Sequence, residues 1–157
     1  MDYYWEDLEL GLTEHFGPFE VDREEVVAFA ERYDPQPFHL DEDAAAQTHF
    51  GRLAASGWHT TAMMMGAMVR ARQNSGGWQA NALGAMGLDE LRWRRPVFPG
   101  DVLRGSSELV EKLESRSRPE TGILKWRTRL VNQDDQEVLS LVSVVLHRRR
   151  PKAAPAD

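Results

Sequence analysis

From Trp58 to Val69 the chain carries no formally charged residue, and within that stretch lie Met63, Met64, Met65 and Met68. A helix that is apolar on nearly every side is a core helix, and methionines there read as core filler. Arg70 and Arg72 supply cations for its last turn, and Gly76-Gly77 ends it. The hydrophobic period then changes from helical to two, as in Glu90-Leu91-Arg92-Trp93-Arg94 and from Leu124 to Leu130. Polar and apolar residues that alternate in this way mark half-buried strands. One buried helix followed by such strands restricts the chain to an α+β layer architecture, an antiparallel sheet curled around the helix.

Turn signals divide the strands. Pro99-Gly100 fits the central positions of a type II turn, since proline presets the first and glycine permits positive φ at the second. The segments from Arg118 to Gly122 and from Asn132 to Gln136 are polar breaks between apolar runs. The carboxy-terminal half therefore reads as a four-stranded antiparallel meander, with Val138 to Leu146 its most apolar strand.

Two helices are expected upstream. Asp22 is a good N-cap, Glu25 holds the capping-box position, and Val21 with Val26 has hydrophobic-staple spacing. Val26, Phe29, Ala30 and Tyr33 then line one apolar face, and Pro35 forces an exit near Tyr33 that leaves Asp34 at the helix end. From Asp41 to Phe50 the chain reads as a short surface helix with acidic residues at its start and Gly51 at its close.

With 157 residues, 41% of them apolar, one domain over residues 1–150 is expected, with a disordered tail from Pro151 to Asp157. The 19 Lys and Arg against 25 Asp and Glu leave a net charge of -6, which disfavours nucleic acid or an anionic membrane as partner. The chain has no cysteine, which excludes a disulfide framework, a thiolate metal site and a cysteine nucleophile. Met1 to Leu10 carries Asp2, Glu6, Asp7 and Glu9 rather than a basic start and an apolar run, so a cytoplasmic protein is expected.

Chemistry is concentrated in two places. Asp34 and His39 stand five residues apart across a stretch stiffened by Pro35 and Pro37, a spacing that can place a carboxylate and an imidazole on one water. The alternative is an ordinary Asp-Pro turn with His39 as a satisfied polar residue, and spacing alone leaves both open. A carboxylate at a helix C-terminus faces the negative end of the dipole, which disfavours its ionised form. The second place is Ala54-Ala55-Ser56-Gly57-Trp58, where Ser56 can cap the long helix and the Gly57 amide can point out of its positive end toward a developing oxyanion. Close packing at a helix start explains the same small residues equally well.

Other polar residues carry less. His39, Asp41 and Asp43 alternate, but a helix starting among them splays them, so no metal site is expected. His49 and His59 take no assigned role. Arg92, Arg94 and Arg95 form one basic cluster, and Arg148, Arg149, Arg150 and Lys152 another; both read as solvated faces.

Taken together, Phe29-Ala30, Asp34-Pro35-Gln36-Pro37-Phe38-His39-Leu40-Asp41, Phe50-Gly51, Ser56-Gly57, Arg95-Pro96-Val97 and Pro99-Gly100-Asp101 give a chain that resembles the MaoC-like acyl dehydratases from about Val21 to His147. That family includes the (R)-specific enoyl-CoA hydratases. The resemblance implies a hot-dog fold, a homodimer or higher homo-oligomer, and reversible hydration of a trans-2-enoyl thioester carried on coenzyme A or a carrier protein, with no cofactor. It implies Asp34 and His39 as the catalytic pair and Gly57 as the amide that binds the thioester oxygen; Ser56, Trp58 and Arg95 are expected to contact the substrate. A hot-dog thioesterase is the rival enzyme, but it typically takes a carboxylate from the central helix or its approach, and Trp58 to Gln73 has none. A noncatalytic acyl-CoA-binding subunit is the rival of another class, and retention of both Asp34 and His39 speaks against it.

Overall fold

The computed structural model describes residues 3–75 and 78–151. The Gly76-Gly77 helix stop and the tail beyond Pro151 lie outside these residues. Five strands form one antiparallel sheet: β1 (Thr13–Glu20), β2 (Ala82–Trp93), β3 (Val102–Glu114), β4 (Thr121–Val131) and β5 (Glu137–Arg148), in the spatial order β1-β3-β4-β5-β2. Helices α1 (Arg23–Tyr33), α2 (Glu42–Ala46) and α3 (Gly57–Asn74) all fall between β1 and β2. One antiparallel sheet with a long helix against it is the hot-dog arrangement.

The meander holds only in part. β3, β4 and β5 are sequential neighbours, but β2 pairs with β5 and not with β3, and the unanticipated β1 pairs with β3. The β1 pairing shifts register between Phe16 and Phe19, across Gly17-Pro18, and that break hides its period from the sequence. The Pro99-Gly100 turn forms as expected: the Asp101 amide donates to the Phe98 carbonyl at 3.0 Å and Gly100 has φ +88°. Because β2 lies across the sheet, this turn leads the chain over to β3 instead of closing a hairpin.

The core lies between α3 and the inner face of the sheet, where Met64, Ala67 and Met68 pack with Leu103, Leu130, Leu139 and Leu141. Alternation on β4 is clean: Leu124, Trp126, Thr128 and Leu130 are buried while Arg127 and Arg129 face out. The expectation that α3 is buried all round is corrected. Only one face is covered, and Trp58 and Met65 are 56% and 39% exposed. Of its methionines, Met64 and Met68 fill the core and Met65 does not.

Local signals place α1 well. Asp22 accepts from the Glu25 amide at 2.8 Å, a cap of the kind that contributes about 1 kcal/mol. Val21 and Val26 are buried together, and the helix ends at Tyr33 with Asp34 as its C-cap. Tyr33 departs from the expected apolar face, 62% exposed at the mouth of a cleft. The second helix is shorter than expected. Asp41 caps it through the Ala44 amide, but it stops at Ala46 and the chain from Gln47 to Phe50 is turn. Among the described residues no helix is long and apolar enough to cross a membrane.

Candidate active site

Pro35 ends α1, and a single 3-10 turn over Pro37–His39 carries the chain back across the start of α3. This places His39 in a buried position, 5% exposed, with Asp34 beside it. His39 Nδ1 lies 2.7 Å from the Ala54 carbonyl oxygen. A carbonyl can only accept, so Nδ1 carries the proton and the neutral ring keeps its lone pair on Nε2. That nitrogen faces Asp34 Oδ2 at 3.5 Å, a separation too long for a strong direct bond and suited to a shared water. Phe38 packs edge-on against the imidazole at 4.6 Å between ring centroids.

Asp34 is held from two further sides. Ser56 Oγ donates to Oδ2 at 2.7 Å and Gln36 Nε2 donates to Oδ1 at 2.8 Å. Burial pushes the carboxyl up, but the hydrogen bonds from Ser56 and Gln36 act against it and the group lies below its ordinary value. The expectation that the helix C-terminus would disfavour the carboxylate is therefore corrected: directed hydrogen bonds at under 3 Å overcome the dipole.

Gly57 is the first residue of α3, and its amide has no hydrogen-bond partner among the described residues. Ser56 is the N-cap and accepts from the Trp58 amide at 3.2 Å. One hydroxyl thus holds the helix start and the Asp34 carboxylate together. Over Gly57 lies the indole of Trp93, which an added Cβ would meet at 2.4 Å. Trp93 is fixed there by its Nε1 donating to Thr61 Oγ1 at 3.1 Å, while Thr61 Oγ1 donates to the Gly57 carbonyl at 2.9 Å.

These residues line a half-open cleft of about 640 Å³. Asp34, His39, Gly57, Trp58 and Arg95, all singled out from the sequence, share its wall, and Ser56 sits wholly buried behind Asp34 rather than on the cleft surface. Sequence reasoning gave no site role to Trp93, Tyr33 and His49, which also line it. Trp93 was visible as the apolar member of a period-two strand, but nothing local shows that it is 45% exposed and turned over Gly57. His59 is separate from the cleft lining. It stacks on Phe29 at 4.7 Å, and burial, against the opposing charge of Glu25, holds it below the ordinary imidazole value. Among the described residues no three His, Asp or Glu side chains converge as metal ligands. In the second basic cluster Arg149 pairs with Glu6 and Glu114, and Arg150 pairs with Asp7.

The family model described as MaoC like domain matches residues 12–127. Mesaconyl-CoA hydratase of Cereibacter sphaeroides is 45% identical over 48% of this chain, a match that spans 22% of that longer protein. The 3-hydroxybutyryl-CoA dehydratase of Methylorubrum extorquens is 35% identical over 73% of this chain and 69% of its own length. The crystal structure of a MaoC-like dehydratase from Rhodospirillum rubrum superposes with a TM-score of 0.83 at 36% identity, covering 96% of this chain and 99% of that one. A five-stranded sheet on one long helix, an Asp-Pro exit that carries a carboxylate to an imidazole, and these likenesses converge: the chain belongs to the MaoC-like domain family.

Proposed function

We propose that the protein is a lyase that adds water reversibly across the C2=C3 bond of a trans-2-enoyl thioester. The observation that carries this reading is the pair of proton acceptors, Asp34 Oδ2 and His39 Nε2, 3.5 Å apart in a cleft that also holds the Gly57 amide, which has no partner among the described residues. A water between them donates one hydrogen to each, which leaves its oxygen lone pair free to attack C3. The pair takes one proton from that water and returns a proton to C2, so the substrate gains one water in total. As C2 acquires carbanion character the negative charge moves to the thioester oxygen, where the Gly57 amide at the positive end of α3 meets it. No electrons change hands, so the chemistry calls for no redox cofactor. The two relatives named above are a hydratase and a dehydratase of coenzyme A thioesters, the two directions of this addition. Loss of conjugated-thioester absorbance when trans-2-enoyl-CoA is added to the protein tests the reading. A panel of enoyl-CoAs left unchanged would reject it.

Ser56→Ala gives a sharper check on the Asp34 environment. It removes the 2.7 Å donor to Oδ2, so the carboxyl rises toward its ordinary value. A base must be unprotonated to act, and the acid limb of the pH–rate profile is expected to move to higher pH. The lost N-cap also lowers stability by about 1 kcal/mol. An unmoved acid limb would show that Ser56 does not tune the base.

The same reading includes a homodimer joined through β2. This strand is the outer edge beyond β5, exposed over nearly its whole length, and it carries Leu83, Met86, Leu88 and Trp93 at 38% exposure or more. Such an edge is a template for another strand. The opposite edge, β1, is interrupted by Pro18, which has no N–H to offer. Light scattering is expected to give twice the chain mass; a single-chain mass at every concentration would contradict it.

A further inference from the structure

A second concavity, of about 440 Å³, lies on the outer face of the sheet and shares a wall with the active-site cleft. Four arginines line it: Arg92 and Arg94 at the end of β2 and just beyond it, and Arg127 and Arg129 on β4. They converge because β5 runs between those two strands, with Ser140 opposite both Arg92 and Arg129 and Val142 opposite Arg127. Nothing in the linear sequence brings Arg92 near Arg129.

The charge here is not balanced internally. Arg94 and Arg129 share the single carboxylate of Glu137, at 3.4 and 3.6 Å. Arg92 and Arg127 have no carboxylate within ion-pair distance among the described residues, and Glu90 is the only other acid lining the concavity. Four guanidinium groups against two carboxylates make a locally cationic bowl on a chain of net charge -6. Guanidinium forks match phosphate oxygens in pairs, and gathering them in a concave surface suits a compact polyanion better than a broad acidic protein face.

Position adds the second half of the argument. Arg94 lines both cavities, and Glu137 on the cationic side is followed directly by Val138 on the cleft side. A ligand whose reacting end lies between Asp34 and Gly57 and whose other end bears phosphates would cross at Arg94. We infer that the Arg92, Arg94, Arg127 and Arg129 bowl binds the phosphates at the nucleotide end of a coenzyme A thioester whose acyl end occupies the cleft. This rests on the thioester reading above and selects coenzyme A as the carrier.

The test uses adenosine 3′,5′-bisphosphate as probe, titrated by calorimetry into the wild-type protein and an Arg127→Gln, Arg129→Gln double variant. Both side chains are exposed on β4, and a melting curve verifies the fold. If the double variant is unstable, Arg127→Lys, Arg129→Lys, which keeps the charge and loses the fork, takes its place. The expected result is binding to wild type that weakens on the order of tenfold in the variant. In turnover assays KM for a trans-2-enoyl-CoA should rise by a similar factor relative to KM for the same acyl group on N-acetylcysteamine, which carries no phosphate. Absence of nucleotide binding to wild type, equal binding by both proteins, or an equal change in KM for both thioesters would overturn the inference. A variant impaired only with an enoyl group on an acyl carrier protein would also overturn it, by making the bowl a protein-docking surface. Nucleotide binding is read without turnover, so a protein that hydrates neither thioester removes the hydratase reading while calorimetry still decides the bowl.

Discussion

Asp34→Asn and His39→Ala are each expected to fold and to lose on the order of 10² to 10⁴-fold in hydration rate, the range for removing a general acid or base. The asparagine keeps the shape of Asp34 and its one carbonyl oxygen can still accept from Ser56 Oγ, while its NH2 meets Gln36, whose amide must turn over to accept; the charge and basicity go. His39→Ala removes a buried ring that sits against Phe38 and the Ala54 carbonyl, and its stability loss is the larger of the two. Stability against pH separates the variants further. Asp34 has its folded pKa lowered, so its contribution is present above the unfolded carboxylate value and is lost as the pH falls through the folded value. Asp34→Asn should therefore flatten the acid side of the melting-temperature curve. Near-normal turnover in both variants would remove the pair from the mechanism.

Gly57→Val is the other substitution with a large expected effect. Its Cβ would meet the Trp93 indole at 2.4 Å, so the ring must leave its place over the start of α3. Overpacking of this kind costs about 1 to 3 kcal/mol. If the amide is the oxyanion donor, turnover per folded molecule falls on the order of 10² to 10³-fold, because the branched side chain blocks the thioester oxygen from the nitrogen. Trp93→Ala in the same chain separates the two effects. It relieves the contact and should recover melting temperature, while the valine still obstructs the amide and turnover stays low. Recovery of both together would assign Gly57 to packing against Trp93 alone.

Much of the fold was readable from local chemistry. Asp22 and Pro35 bracket α1 because a cap and a proline act on the backbone within one turn. The same proline delivers Asp34 to the site, so the Asp34–His39 segment is both a structural stop and a chemical signal. Alternation on β4 and the Pro99-Gly100 turn are likewise local, set by which face is buried and by the φ a glycine permits. The misreading of α3 has a non-local origin. An uncharged run from Trp58 to Val69 implies burial, but residue type does not report how many sides neighbours cover, and one face of α3 stays exposed among the described residues.

Local chemistry in the chain sets α1, α3 and the strands β2 to β5 in their order, though not β1, and it sets out a carboxylate, an imidazole and a small-residue helix start. Which of these touch is set by the packing of the whole chain. Ser56 reaches Asp34 across 22 residues of chain, Trp93 hydrogen-bonds Thr61 across 32, and Arg92 comes to share a bowl with Arg129 through β5. Caps, turns and periodicity work over a few residues and are written in the chain. Strand order and side-chain convergence come from burying both the α3 face and the inner sheet face at once, a condition that the whole chain satisfies together and no segment satisfies alone.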